Sequence, residues 1–493
     1  MTSKAKILAV SFFIWLGKKR KRGKNMETKE KNVATPYDLD GKPPLKLAIP
    51  LGLQHVLAMF VGNLTPLLII TGVCGIESGS SIQVALLQNA MLVAGIVTLI
   101  QVYTIGPIGG KLPIVMGTSS GFIGVCRSVA ITMESGVAGY GAILAACFIG
   151  GLFETVLGGF LKPLRKFFPA VVTGTVVLSI GLSLISVGIG SFGGGSSAAD
   201  YGSLENLFVG TFVLVVIIAL KHGTKGFTSF SSILIGIIVG YLVSIPFGMV
   251  DFSSIGEAGV CQLPSLMHFG VQFEPSSCVA LGILFAINSI QAIGDYSATT
   301  IGAMDRTPKD DELQRGIVGY GLSNVVGALL GGLPTATYSQ NVGIVTTTKV
   351  INRWVLGLAA AILGIAGLVP KFSAILTTIP QCVLGGATVS VFASIAMTGM
   401  KLVASAEMDY RNSSIVGLAA ALGMGVSQAT AALASFPTWV TTIFGKSPVV
   451  LATIIAVMLN VILPKTRDEQ KEEAKKKIKI EQKLEEDHRE FGE

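Results

Sequence analysis

Stretches of roughly 20 apolar residues, the length needed to cross the hydrocarbon of a bilayer, recur along almost the whole of this 493-residue chain. They lie near 47–72, 82–104, 112–127, 137–160, 168–190, 204–220, 229–247, 277–299, 316–332, 334–350, 353–369, 374–400, 412–430 and 447–463. By that length criterion there are about fourteen. Lipid offers no partner to backbone N–H and C=O groups, so spans of this kind must satisfy them internally, which leads to an all-α polytopic membrane protein. The composition agrees: 51% hydrophobic residues, 13% charged and a mean hydropathy of +0.68 exclude an ordinary soluble domain. The third and tenth segments read weakly as helices, because they are short, polar and interrupted by Gly and Pro.

The net charge of +8 would suggest nucleic acid as a partner in a soluble protein, but here it follows topology. Arg20 and Lys21, then Lys162, Arg165 and Lys166, then Lys221 and Lys225, then Arg306, Lys309 and Arg315 fall in alternate loops, which makes that side cytoplasmic. Residues 191–203 and 249–275 contain no Lys or Arg, and Lys371 and Lys446 are isolated exceptions. An even span count places both termini in the cytoplasm of a cell-membrane protein. Residues 464–493 alternate Lys and Glu runs and read as a solvated tail. The short apolar run Ile7–Leu16 precedes the basic cluster of residues 18–22, the reverse of a secretory signal. It reads as a surface-lying or disordered tail, or as sequence upstream of a true start at Met26. Six scattered cysteines without a CxxC or a nearby His imply no metal or redox site. No nucleophile–base pair suggests catalysis.

Polar side chains at bilayer depth are costly and call for a role. The stretch Gln340–Lys349 sets two amides, a glycine and several hydroxyls in a weak span. Each amide offers an acceptor and two donors, enough to pair with the edge of a heterocycle without burying charge. Gln291 and Asp295, four apart in the eighth segment, share one helix face beside Gly294. Asp295 is a candidate proton or cation coupler, or a structural anchor. Glu154 lies nearer a basic end and is expected to pair with Arg165 or Lys166. In the first segment Gln54-His55 follows Pro50, and the histidine could relay protons or satisfy a core hydrogen bond. The halves also echo each other: Gly109-Gly110-Lys111-Leu112-Pro113 precedes Met116–Ser120, and Gly331-Gly332-Leu333-Pro334 precedes Tyr338–Asn341, an offset of 221 residues. Interrupted segments at matching positions of two halves point to a transporter of inverted repeats with its substrate at the midplane.

The run Gln340–Lys349 resembles the signature of the nucleobase/ascorbate transporter family: Gln, Glu or Pro, then Asn, any, Gly, four of any kind, Thr, then Arg, Lys or Gly. Gln54-His55, Gly117-Thr118-Ser119 and Ala292-Ile293-Gly294-Asp295 are similar to that family's motifs in the first, third and eighth spans. The likeness covers roughly residues 44–463. It implies fourteen spans as two inverted sevens, with the third and tenth half strand and half helix. It further implies a substrate-carrying core domain from residues 44–167 and 277–371, and a gate domain from 168–250 and 372–463 that dimerises with a second copy. Residues 1–43 and 464–493 would be cytoplasmic tails and 251–276 an extracellular loop. Carried over by position, the resemblance implies substrate contacts at Gln291, Gln340, Asn341, Ser119, Ser120 and Ser339. It implies coupling or site-organising roles for Asp295, His55, Gln54, Gly294, Gly343 and Thr348.

Three departures limit the carry-over. The family's eighth-span Glu is Gln291, its ninth-span acid falls at Tyr320 in Gly319-Tyr320-Gly321, and its third-span aromatic is Ser120, with Phe122 two residues on. Gln at 340 resembles the purine (xanthine or uric acid) branch more than the uracil branch. The expectation is secondary active uptake of a purine nucleobase by symport with H+ or Na+ and elevator-type alternating access, with Asp295 as coupler and no cofactor or bound metal. Uracil permeation, anion transport on the same inverted-seven architecture and a membrane-embedded enzyme are the alternatives.

Overall fold

The computed structural model describes residues 34–133, 136–160, 167–195, 198–257, 272–433 and 448–464, with a few single positions between these stretches. Residues 1–33 and 465–493 of the two tails, and the expectations for Arg20, Lys21, Lys162, Arg165, Lys166 and Lys446, lie outside the described residues. In chain order the elements are α1 (Leu45–Val73), α2 (Ser81–Tyr103), β1 (Met116–Thr118), α3 (Ile123–Thr132), α4 (Gly136–Gly159), α5 (Ala170–Phe192), α6 (Leu204–Gly223) and α7 (Ser232–Ser244). The second half continues with α8 (Pro275–Met304), α9 (Asp310–Leu329), β2 (Thr335–Thr337), α10 (Ser339–Thr348), α11 (Arg353–Ala366), α12 (Pro370–Thr377), α13 (Gln381–Ala404), α14 (Tyr410–Gln428) and α15 (Pro448–Ile462).

Seven of these helices are long and apolar enough to cross a membrane, and α11 with α12, bent by 81° at their junction, would make an eighth. The bend has a local cause: Pro370 opens α12 and cannot continue the hydrogen bonding of α11. The other apolar segments form shorter helices, or helices that carry charge in their first turn, as α9 does with Asp310, Asp311 and Glu312.

Helix pairing repeats when the halves are exchanged. α2 lies along α11 as α9 lies along α4; α1 packs on α11 as α8 packs on α4; α6 meets α13 as α14 meets α5. Within lipid these contacts are set by close packing of small residues rather than by expulsion of water. A Cβ added to Gly321 of α9 would lie 2.3 Å from the backbone nitrogen of Thr155 in α4. One added to Gly181 of α5 would lie 2.3 Å from that of Ala396 in α13.

The strands meet where the halves meet. β1 pairs antiparallel with β2, Met116 opposite Thr337 and Thr118 opposite Thr335. Their remaining polar groups bond to side chains from the surrounding helices, as burial demands. Thr98 of α2 both accepts from Met116 N (3.0 Å) and donates to Met116 O (3.1 Å). Asn63 of α1 accepts from Thr118 N at 2.8 Å. Asn324 of α9 accepts from Thr335 N (2.7 Å) and Oγ1 (2.9 Å), and the Tyr320 hydroxyl accepts from Thr337 N at 2.8 Å.

Candidate functional site

Beyond each strand the chain turns into a short helix, and a cavity of about 230 Å³ opens between these turns and the helices α5 and α13. One wall is polar, formed by Ser119, Ser120, Gln291, Ser339 and Gln340. The facing wall is mostly apolar: Val177 and Ile180 from α5, Val391 and Ile395 from α13, with Ser394 and Thr398 supplying its hydroxyls. Tyr338 is the one aromatic among the lining residues, and none of them is charged.

The polar wall is built by helix starts. α10 begins at Ser339, one residue after β2, with no side-chain cap, so the N–H groups of Ser339, Gln340 and Asn341 have no acceptor among the described residues. On the β1 side a single 3₁₀ turn, Ser120–Phe122, precedes α3, and the Ser119 hydroxyl accepts from Gly121 N at 3.2 Å. Both starts bring positive partial charge to the cavity. Gln291 and Gln340 add neutral amides, which suit the edge of a planar heterocycle better than a full charge.

Behind this wall stands Asp295. Its carboxylate accepts from Thr337 Oγ1 at 2.5 Å and from Ser339 Oγ at 2.9 Å, tying α8 to the end of β2 and the start of α10. Asp295 is 8% exposed and does not line the cavity. Its two oxygens are held by neutral hydroxyls, so it organises the turn that carries Ser339 and Gln340.

The sequence grouped Asn341 with Gln340, and the structure separates them. The Asn341 side chain is buried and points to α1, donating to His55 O at 3.0 Å and to His55 Nδ1 at 3.1 Å. With Nδ1 accepting, the imidazole proton sits on Nε2. His55 and Asn341 thus pin α10 to α1, and Asn341 Oδ1 has no hydrogen-bond partner among the described residues. Gln54 is buried beside them in α1 and lines no part of the cavity. Gly294 is exposed, and Gly343 and Thr348 lie farther along α10. Thr348 Oγ1 donates to Ile344 O at 2.8 Å, one of the bonds closing that helix.

The last signature position also has a backbone reason. Lys349 caps α10 with φ 59°, the left-handed region where Gly sits without strain. Its ammonium donates to Gly302 O at 2.5 Å, answering a carbonyl in the last turn of α8.

Glu154 is wholly buried and accepts from Ser289 Oγ and Asn324 Nδ2, each at 2.9 Å. Arg165 and Lys166, its expected partners, lie outside the described residues. Phe122 does not line the cavity: it is 3% exposed and packs on Phe285 with ring centroids 4.9 Å apart. The aromatic of this cavity is Tyr338, whose hydroxyl donates to Thr118 O at 2.5 Å across the strand pair. Sequence reading missed Tyr338 and the α5 and α13 wall. The spacing of Ser394 and Thr398, four apart in an apolar helix, was the available signal for the latter.

Residues 46–432 match the model of a permease family, Xan_ur_permease. The chain is 32% identical over 443 residues to the xanthine permease XanQ of Escherichia coli (strain K12), covering 87% of this chain and 93% of that one. It is 36% identical over 403 residues to the uric acid permease PucJ of Bacillus subtilis (strain 168), covering 78% and 86%. Among solved structures, the transmembrane domain of a cyanobacterium bicarbonate transporter, BicA, matches with a TM-score of 0.54 at 17% identity, over 85% of this chain and 98% of that one, a likeness of fold alone. By its signature and by these relatives, the chain belongs to the permease family that holds the xanthine and uric acid permeases, and it is a membrane transport protein rather than an enzyme.

Proposed function

We propose that this permease takes up a purine nucleobase, xanthine, uric acid or a close relative, across the cell membrane. The observation that carries the reading is the cavity's division into a wall of neutral amides, hydroxyls and free helix N–H groups and a wall of aliphatic side chains. Gln291 and Gln340 pair with donors and acceptors on the ring edge, Ser119, Ser120 and Ser339 complete the polar contacts, and Val177, Ile180, Val391 and Ile395 cover the ring faces. A neutral wall also favours a heterocycle over an inorganic anion, which would call for Lys or Arg among the lining residues.

The chain is read as fourteen crossing segments in two inverted sevens, the third and tenth being β1 with α3 and β2 with α10. The repeated helix pairings support this. α1–α4 and α8–α11 form one body with its polar wall, and α5–α7 and α13–α15 a second. Sliding of the first past the aliphatic face of the second, with cation symport, gives alternating access, and the second body supplies a dimer interface. Both termini are placed in the cytoplasm.

Competition uptake in vesicles checks the reading. Radiolabelled xanthine is offered with excess uric acid, uracil, ascorbate or sulfate, with and without sodium and a proton uncoupler. Uric acid and unlabelled xanthine compete, and the uncoupler or sodium removal collapses accumulation. Uracil as the strongest competitor overturns the purine assignment, and sulfate overturns the heterocycle.

A further inference from the structure

The family resemblance implies acids at the positions of Gln291 and Tyr320, and neither of these residues ionises as a carboxylate does. The described membrane core nevertheless holds a second buried carboxylate. Glu154 of α4 is 0% exposed and has no cationic partner among the described residues, only Ser289 Oγ on one oxygen and Asn324 Nδ2 on the other, each at 2.9 Å. A carboxylate sealed among neutral groups is expensive to keep ionised. We propose that Glu154 is the proton-binding residue of the transport cycle, and that Ser289 and Asn324 link its protonation to β2 and so to the substrate cavity. This rests on the reading as a nucleobase symporter.

The hydrogen bonding admits both protonation states without a broken contact. With Glu154 ionised, the Ser289 hydroxyl donates to Oε1. The same hydroxyl oxygen lies 3.0 Å from Phe285 O, a second acceptor. A proton arriving on Glu154 Oε1 is therefore donated to Ser289 Oγ, while the Ser289 hydrogen rotates to Phe285 O. One bond is formed by the incoming proton and one is exchanged, and release reverses both. The contact between Oε2 and Asn324 is kept in both states but weakens on protonation, because an uncharged carboxyl oxygen is a poorer acceptor than a carboxylate. Asp295 lacks this arrangement: among the described residues, neither Thr337 Oγ1 nor Ser339 Oγ has an alternative acceptor. Asp295 is thus built to stay an acceptor, and Glu154 to change.

Asn324 carries the change outward. Its amide nitrogen faces Glu154 and its oxygen holds Thr335 N and Oγ1, so the charge on Glu154 fixes which way the amide points and how firmly β2 is held. The titratable neighbours on the packed elements are Tyr296 and Asp295 of α8 and Tyr320 of α9. On α3 the single charged side chain, Arg127, is exposed. Glu154 does not touch the cavity, so its role is one of positioning and proton binding rather than substrate contact.

Proton linkage tests this in the reconstituted full chain. Calorimetric titration with xanthine in buffers of different ionisation enthalpy reports protons taken up on binding, and an imposed pH gradient, acid outside, drives accumulation in proteoliposomes. The wild type takes up protons and accumulates xanthine. Glu154→Gln still binds xanthine, with Kd within about tenfold of wild type, but loses proton uptake and gradient-driven accumulation. Glu154→Asp restores part of both. If Glu154→Gln does not fold, Ser289→Ala serves instead: it removes the rotating hydroxyl, keeps the carboxyl and displaces the pH midpoint of binding. Proton uptake retained in Glu154→Gln, an unmoved midpoint in Ser289→Ala, or a wild type that binds without protons overturns the proposal. If another nucleobase wins the uptake competition, the same measurements are made with it, so the substrate assignment and the proton assignment fail separately.

Discussion

Asn63 and Asn324 do matching work on the two strands, each accepting from the backbone nitrogen of a threonine, Thr118 in β1 and Thr335 in β2. What lies behind them differs. Asn63 donates onward to Ala90 O at 3.3 Å, a neutral backbone carbonyl. Asn324 donates to the buried carboxylate of Glu154, and the other end of β2 is held by Asp295 through Thr337. One strand is thus fixed by neutral groups, and the other is suspended between two ionisable ones. The difference teaches that antiparallel partners of the same length need not be equivalent: β1 is held by neutral groups alone, and under the proposal above β2 is the strand whose hold changes with the protonation of Glu154.

The largest test of that contrast is the anchors themselves. Asn324→Ala leaves the Thr335 N–H and one Glu154 oxygen unpaired in the core, each worth about 1–3 kcal/mol and more for the charged group. The expected loss is roughly 3–5 kcal/mol, seen as a fall in Tm in one detergent and in the yield of folded protein. Asn63→Ala orphans the Thr118 N–H and costs about 1–3 kcal/mol. Equal losses would mean that Glu154 draws little from Asn324, and the asymmetry between the strands would fail.

The cavity wall gives the next contrast. Under the proposed function Gln340 on the β2 side meets substrate with its side chain, whereas Ser120 on the β1 side offers its backbone as readily as its hydroxyl. Gln340→Ala is expected to weaken xanthine binding by about 2–3 kcal/mol, roughly 30- to 150-fold in Kd. Ser120→Ala changes it by no more than about threefold. Calorimetry on the purified variants separates the two, and a larger effect at Ser120 would move the principal contact to the β1 side.

Much of this was legible in the chain. Hydropathy gave the long helices, and the weakness of the third and tenth segments marked where strands replace helix, because Gly117 and Pro334 interrupt any 3.6-residue pattern there. Gln291, Gln340, Ser119, Ser120 and Ser339 do meet at one cavity. Neighbours in sequence were the weak point. Gln340 and Asn341 sit about 100° apart on α10, so one faces the cavity and the other His55. The partners of Glu154 come from Ser289 and Asn324, 135 and 170 residues away, which no local pattern reports. The aliphatic wall was illegible for another reason: Val177 and Ile395 look like any other lipid-facing or core residue in an apolar helix.

Glycines of the two strand-helix segments supply the finest contrast. A Cβ on Gly117, in the middle of β1, would lie 2.6 Å from Asn63 Oδ1, 2.7 Å from Met59 Cε and 3.0 Å from the Tyr338 ring. Gly117→Ala is therefore expected to cost about 1–2 kcal/mol through displacement of the β1 anchor and of Tyr338. Gly343, the glycine of the signature in α10, has nothing within 4 Å of the same added atom. Gly343→Ala should leave Tm unchanged or raise it slightly, since alanine favours a helix interior by up to about 1 kcal/mol over glycine. Uptake is the decisive readout. If Gly343→Ala keeps its Tm yet transports slowly, the glycine serves a conformation in which α10 packs more closely than it does here, and the contrast with Gly117 becomes one between a residue of the fold and a residue of the cycle. If uptake is also unchanged, Gly343 is a tolerated residue of α10 and the tight packing of the site belongs to the β1 side alone.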